Sequence, residues 1–181
     1  MSSASTPATW NDAFQAGLTA LEREEYQSAI KSLGQALIDA PEQELSGCYS
    51  MRGYAFLCTQ QYDRALNDCD RAIEHNPLDA EAFAWRGSAN AGLKRWRTTV
   101  EDFIKAIKLS PENSLEYEQV AINYTEQGLA EMRQQVRDGK SSPQIFQDRG
   151  IIYKFRGDYE KAIRDFGQSL DLDKQLATSH V

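Results

Sequence analysis

The stretch Arg149–Leu172, RGIIYKFRGDYEKAIRDFGQSLDL, decides the fold. Gly150, Ile151, Ile152 and Phe155 fall on one side of a first helix. Gly157-Asp158 breaks that helix. Tyr159, Ala162, Ile163, Phe166 and Leu170 then recur at spacings of three and four, the stripe of a second amphipathic helix. Gly150 and Ala162 put little or no side chain where the two helices would cross, so their backbones can approach closely. The stretch therefore predicts a helix-turn-helix hairpin.

The same small–aromatic–small order occurs elsewhere in the chain. Gly17, Tyr26, Ala29 and Pro41 carry it first, then Gly53, Tyr62, Ala65 and Pro77. Gly87, Trp96, Thr99 and Pro111 carry it a third time, with threonine in the alanine place. Gly150, Tyr159 and Ala162 form the last copy, with Lys174 where proline would fall. The markers advance by 36 from the first copy to the second and by 34 from the second to the third. The third and last copies are 63 apart, room for one repeat and a shortened one. Several markers keeping one offset make a strong signal.

On these markers the chain resembles the tetratricopeptide-repeat family, most closely in SMRGYAFLCTQQYDRALNDCDRAIEHNP and FRGDYEKAIRDFGQSLDL. The resemblance covers roughly residues 10–176. It implies an all-α, right-handed superhelical solenoid of antiparallel helix hairpins, about five helix pairs with one degenerate. It is specific for fold and weak for function, because such arrays host unrelated partners.

The expected organisation is a disordered tail over 1–9, one helical-repeat domain over 10–176 and a C-terminal tail over 177–181. The hairpins are 10–43, 46–79, 80–113, a degenerate 114–142 and 143–176. Thr9 with Asp12 suits a capped start to the first helix, and Asp79 and Asn113 suit later caps. Ser142-Pro143 reads as a cap and first helical residue. In 114–142, YEQVAINYTEQG suits a first helix and LAEMRQQVRDGKSS a shorter second one ending at Gly139. The competing reading is one long helix over 114–138 with Gly128 tolerated inside it.

Composition narrows the function classes. The chain has 181 residues and a formal net charge of −7. That argues against general nucleic-acid or anionic-membrane binding, which favours a basic surface. Lys94, Arg95 and Arg97 sit at an expected turn and read as a solvated tip. Cys48, Cys58 and Cys69 form no CxxC pair, and His75 and His180 are the only histidines, so no metal site is expected. The cysteines suit a reducing, cytoplasmic setting. No leader, no run of ~20 apolar residues and no glycine at position 2 suggests membrane attachment. Ser179-His180-Val181 matches a PDZ-type tail motif loosely.

The resemblance places the first helices on an inner, concave wall. Projecting the pattern puts Phe14, Leu18, Met51, Tyr54, Leu57, Trp85, Ser88, Ile122, Gln147 and Ile151 there. Glu22, Glu118 and Asp148 border it. Trp85 and Tyr54 stand out, because Phe83 and Phe56 already fill the adjacent core places. An aromatic wall suits a peptide or amphipathic helix of a partner protein. Packing between neighbouring hairpins is the competing reading for several of these residues. Members of the family that bind chaperone tails grip a C-terminal carboxylate with lysine, asparagine and arginine. The matching places here hold Phe14, Leu18, Met51, Glu81 and Trp85, so such a clamp is not expected. Arg52, Arg86 and Arg149 each precede a marker glycine. They suggest a ladder for an acidic partner, or pairing with acids of an adjacent helix such as Asp68 and Asp102. No nucleophile elbow, phosphate loop or metal motif is present, so neither catalysis nor a cofactor is expected. The alternative to an adaptor is an assembly factor or structural subunit. It would dock through its convex face or its C-terminal helix, which also offers a homodimer contact.

Overall fold

The computed structural model describes residues 9–179. Helices Trp10–Glu22 (α1) and Tyr26–Asp39 (α2) form a first antiparallel hairpin. Leu45–Cys58 (α3) with Tyr62–His75 (α4), and Ala80–Gly92 (α5) with Trp96–Leu109 (α6), repeat it. Ser114–Arg137 (α7) is a single long helix, and Pro143–Phe155 (α8) with Tyr159–Ser179 (α9) closes the array. A short 3-10 turn at Glu42–Glu44 follows Pro41, and another at Pro111–Asn113 begins on the closing proline itself.

Helix starts follow local chemistry. Thr9 and Asp12 make a reciprocal capping box on α1. Asp79 caps α5 through Ala82 N–H, and Ser142 caps α8 through Ile145 N–H with Pro143 next in line. Asn113 gives α7 no side-chain cap; its amide donates to Ser110 Oγ instead. Asp79 does more than cap, since Ser46 and Ser50 donate to it from α3 at 3.0 and 2.8 Å.

Each hairpin turns through one residue in the left-handed region: Glu24, Gln60, Lys94 and Gly157, at φ of 58°, 57°, 60° and 76°. A non-glycine residue there costs about 1–2 kcal/mol. Gln60→Gly is therefore expected to stabilise the fold by about 0.5–1 kcal/mol after glycine's greater unfolded-state entropy is subtracted. A urea midpoint measures this, and a lowered midpoint counts against it.

The marker glycines sit at the crossings, but their contact is not the expected alanine. A Cβ on Gly17 would lie 2.6 Å from Leu33, on Gly53 3.0 Å from Cys69, on Gly87 3.2 Å from Phe103 and on Gly150 2.7 Å from Phe166. The partner is the residue sixteen places on in all four hairpins. The alanine-place residues Ala29, Ala65, Thr99 and Ala162 are buried beside them.

The degenerate hairpin over 114–142 is not formed. α7 runs unbroken from Ser114 to Arg137, and the chain turns away just beyond it at Gly139, whose φ is +76°. Its second half, LAEMRQQVR, consists largely of strong helix formers and carries no turn residue. Gly128 marks a close approach rather than a break. A Cβ there would lie 2.9 Å from the Trp96 ring. Among the described residues the array is thus four hairpins and one unpaired helix, not five pairs. The second half of α7 instead gives Leu129 and Met132 to a core shared with Trp96, Val100, Ile152, Tyr153 and Ala162. The expected tail over 177–181 is also revised, since α9 continues to Ser179. The expected disorder of residues 1–8 and the last two residues of the PDZ-type motif lie outside the described residues.

Candidate functional site

The unpaired α7 shapes the surface beside it. The α8–α9 hairpin folds against both α7 and α6. Arg133 and Arg156 both reach Glu126, the latter at 2.7 Å, and Arg133 Nε donates to Tyr153 Oη, fixing α8 against α7. Arg97 donates to Gln147 Oε1 at 3.5 Å and links α6 to α8.

Two recesses remain between these helices, and both include Phe155. One, of about 480 Å³, is lined by Val100, Ile104, Ile151 and Phe155, with Arg97, Glu101 and Lys154 among its walls. The other, of about 330 Å³, is lined by Ile107, Ile122 and Phe155 with Glu118 and Arg156. Apolar groups from α6, α7 and α8 thus line two recesses on either side of Phe155, together the trough, with charges of both signs beside them. Ile122 is 38 % exposed, and Ile104, Ile107, Ile151 and Phe155 are half-buried.

The residues projected onto one wall separate into groups. Ile122, Ile151 and Gln147 come to the trough or its edge. Tyr54 and Trp85 meet across α3 and α5 with ring centroids 5.2 Å apart, both half-buried. A hydrogen bond with Cys58, together with burial, pushes the Tyr54 phenol up to about 12. Phe14 and Met51 pack against buried residues of the first hairpins, which is the competing reading made concrete. Leu18 and Leu57 are half-buried. Ser88 leaves the set, because it is 5 % exposed and its hydroxyl donates to the Ala84 carbonyl. Glu118 borders the trough as projected. Burial raises the Asp148 carboxyl above the usual carboxylate range, against a hydrogen bond from Gln144 that lowers it.

The arginine ladder is not free for a partner. Arg52 holds Asp68 at 2.6 and 2.8 Å, and Arg149 holds Asp165 at 2.6 and 2.7 Å, each through two nitrogens. Arg86 holds Asp102 at 2.7 Å and reaches Asp70 as well. Each arginine meets the aspartate sixteen residues on, as its glycine meets the apolar residue sixteen on. Bidentate pairing with a buried carboxylate locks the hairpin.

Phe155, Ile104 and Ile107 lie on apolar helical stripes, the pattern of core side chains, yet each keeps an accessible edge. Those edges lie beside α7, which has no helical partner, and no local pattern on α6 or α8 reports that.

Family models described as tetratricopeptide repeat match residues 50–113 and 143–176, together more than half of the chain. The chain belongs to the tetratricopeptide-repeat family. The unmatched residues between the two segments include α7, where the repeat loses its second helix. Tetratricopeptide repeat protein 16 of Homo sapiens is 28 % identical over 128 residues, covering 61 % of this chain and 15 % of the relative. The chain spans about a fifth of the length of the curated relatives it matches. Among solved structures, the yeast Sti1 TPR2B domain, in complex with pHsp70, superposes with a TM-score of 0.60 at 22 % identity. It covers 65 % of this chain and 97 % of that one. A fragment of MamA from Desulfovibrio magneticus RS-1 superposes with a TM-score of 0.55 at 19 % identity, covering 93 % and 78 %. These likenesses establish the tetratricopeptide-repeat fold. No described helix is long and apolar enough to cross a membrane.

Proposed function

We propose that this tetratricopeptide-repeat chain is a non-catalytic protein-interaction module that receives an amphipathic helix or peptide of a partner protein in the trough around Phe155. The observation that carries the reading is the trough itself. Five apolar side chains, Ile104, Ile107, Ile122, Ile151 and Phe155, keep accessible edges where three helices meet. Arg97, Lys154 and Arg156 beside Glu101 and Glu118 suit a ligand that is apolar on one face and charged of both signs on the other. The Tyr54–Trp85 pair is a second contact of the same chemistry on α3 and α5. The complex of the similarly folded yeast Sti1 domain with pHsp70 supports a ligand-receiving role. The places that would clamp a carboxylate hold Phe14, Leu18, Met51, Glu81 and Trp85, so the ligand is recognised by apolar contact. We place the module in the reducing cytoplasm, in keeping with the free thiols of Cys48, Cys58 and Cys69.

Helical peptides selected from a display library on the wild-type protein test this. Ile122→Glu places a charge in the trough at a side chain already 38 % exposed, so helicity by circular dichroism should persist. Affinity for the selected peptides is expected to fall at least tenfold, about 1.4 kcal/mol. Peptides that bind Ile122→Glu as well as wild type, but lose Trp85→Glu, would move the site to α3 and α5.

The structural-subunit reading also has an observation in its favour. Tyr159, Ile163 and Leu170 are bare on α9, at 63 %, 72 % and 60 % exposure.

A further inference from the structure

We infer that the bare face of α9 is a self-association surface, on which a second copy of this chain lays its own α9 antiparallel to the first. The repeat register shows what the face lacks. Tyr159 is the counterpart of Tyr62 and Trp96, Ile163 of Val100, and Leu170 of Ile107. Trp96 and Val100 are 8 % and 2 % exposed because later helices cover them, whereas Tyr159 and Ile163 are 63 % and 72 % exposed. The residue that covers the aromatic is small in each earlier copy. A Cβ on Gly92 would lie 2.5 Å from the Tyr62 ring, and one on Gly128 would lie 2.9 Å from the Trp96 ring. Tyr26 meets Cys58, which stands in the place of Gly92. The helix that covers Tyr159 is therefore expected to bring a small residue there.

The first helix of another copy cannot do so. The register that equates Gly17 with Gly87 puts Glu22 in the place of Gly92. Head-to-tail stacking of α9 on α1 would press a carboxylate against the Tyr159 ring, which argues against an open filament. α9 itself meets the requirement. Tyr159, Ile163, Gly167 and Leu170 follow at spacings of four, four and three, one stripe of the helix. Gly167 is exposed, and a Cβ there would meet nothing within 4 Å. No contact inside the monomer requires a glycine at this place.

Two copies of α9 crossing antiparallel about Ile163 satisfy each other. Ile163 meets its equivalent at the two-fold axis. Tyr159 shares a layer with Gly167 of the other copy, where the absent side chain leaves room for the ring. Glu160 then lies on the same flank as Arg164 of the other copy, about 3 Å away along the axis at 1.5 Å rise per residue, and the pair occurs twice. Both side chains are exposed in the monomer. The contact is isologous and closes on itself, so it stops at a dimer.

Sedimentation equilibrium of the full chain between 1 and 200 µM, a range of about two decades, tests the inference. A concentration-dependent monomer–dimer equilibrium is expected. Ile163→Glu and Gly167→Leu should each weaken the dimer at least tenfold while leaving the monomer folded by circular dichroism, since neither side chain packs inside one copy. Glu160→Arg and Arg164→Glu should each weaken it, and the two together should restore it. A monomer throughout the range overturns the inference. So does a dimer that survives Ile163→Glu, or single charge reversals that the double reversal fails to rescue.

Discussion

Arg149→Ala is expected to destabilise the α8–α9 hairpin by about 3–5 kcal/mol. The guanidinium donates twice to Asp165, whose side chain is 3 % exposed, and lies 5.1 Å from the Phe146 ring. Removing it strands a buried carboxylate with neither water nor a counter-charge. Arg149→Lys should recover only part of the loss, because an ammonium cannot reproduce the two parallel bonds. Arg149→Met with Asp165→Leu should recover most of it, since an apolar pair of similar volume removes both desolvation costs. Contacts in such arrays run mainly between neighbours, so hydrogen exchange should accelerate in α8 and α9 well before α1 to α4. A loss below about 1 kcal/mol would mean that the pair behaves as an exposed ion pair.

Phe103→Ala should cost about 3–5 kcal/mol and act on the middle of the array. Phe103 is 0 % exposed. It packs with Phe83, Ala106, Tyr117 and Ala121, so its removal opens a cavity between α5, α6 and α7 at once. The α5 backbone at Gly87 cannot fill that space, because it already approaches as closely as a residue without a Cβ allows. Phe103→Leu should cost less than half as much. Urea denaturation of both variants measures the difference, and equal losses would contradict the packing account.

The parts of this fold that are legible in the sequence are those set by backbone approach. Gly17, Gly53, Gly87 and Gly150 announce the crossings because a Cβ there would crowd the residue sixteen on, most severely at Gly17 and Gly150. The same offset carries the arginine–aspartate pairs, of which Asp68 and Asp102 are legible in the sequence as acids of the adjacent helix. Gly128 misled for a related reason. A glycine followed by a new apolar pattern resembles a helix end, yet here it yields space to the Trp96 ring. Only the tertiary position of Trp96, thirty-two residues earlier, separates the two meanings.

The candidate site was legible in part. Ile122 and Ile151 were projected onto a binding wall from repeat register alone, and they reach the trough. Phe155 and Ile107 look like ordinary stripe residues. Their accessibility depends on α7 lacking a partner and on α8 folding against α6, contacts between segments far apart in sequence. Ser88 erred the other way, because nothing local showed that its hydroxyl would turn back to the Ala84 carbonyl.

Methyl spectra of protein labelled at isoleucine δ1 carbons, recorded while a selected helical peptide is titrated in, test the proposed trough most directly. Ile104, Ile107, Ile122 and Ile151 line it, whereas Ile30 packs among the first hairpins. The trough account predicts that the first four methyls shift and saturate together while Ile30 stays in place. Saturable binding that moves Ile163 or Ile30 and leaves Ile122 and Ile151 unmoved would contradict it.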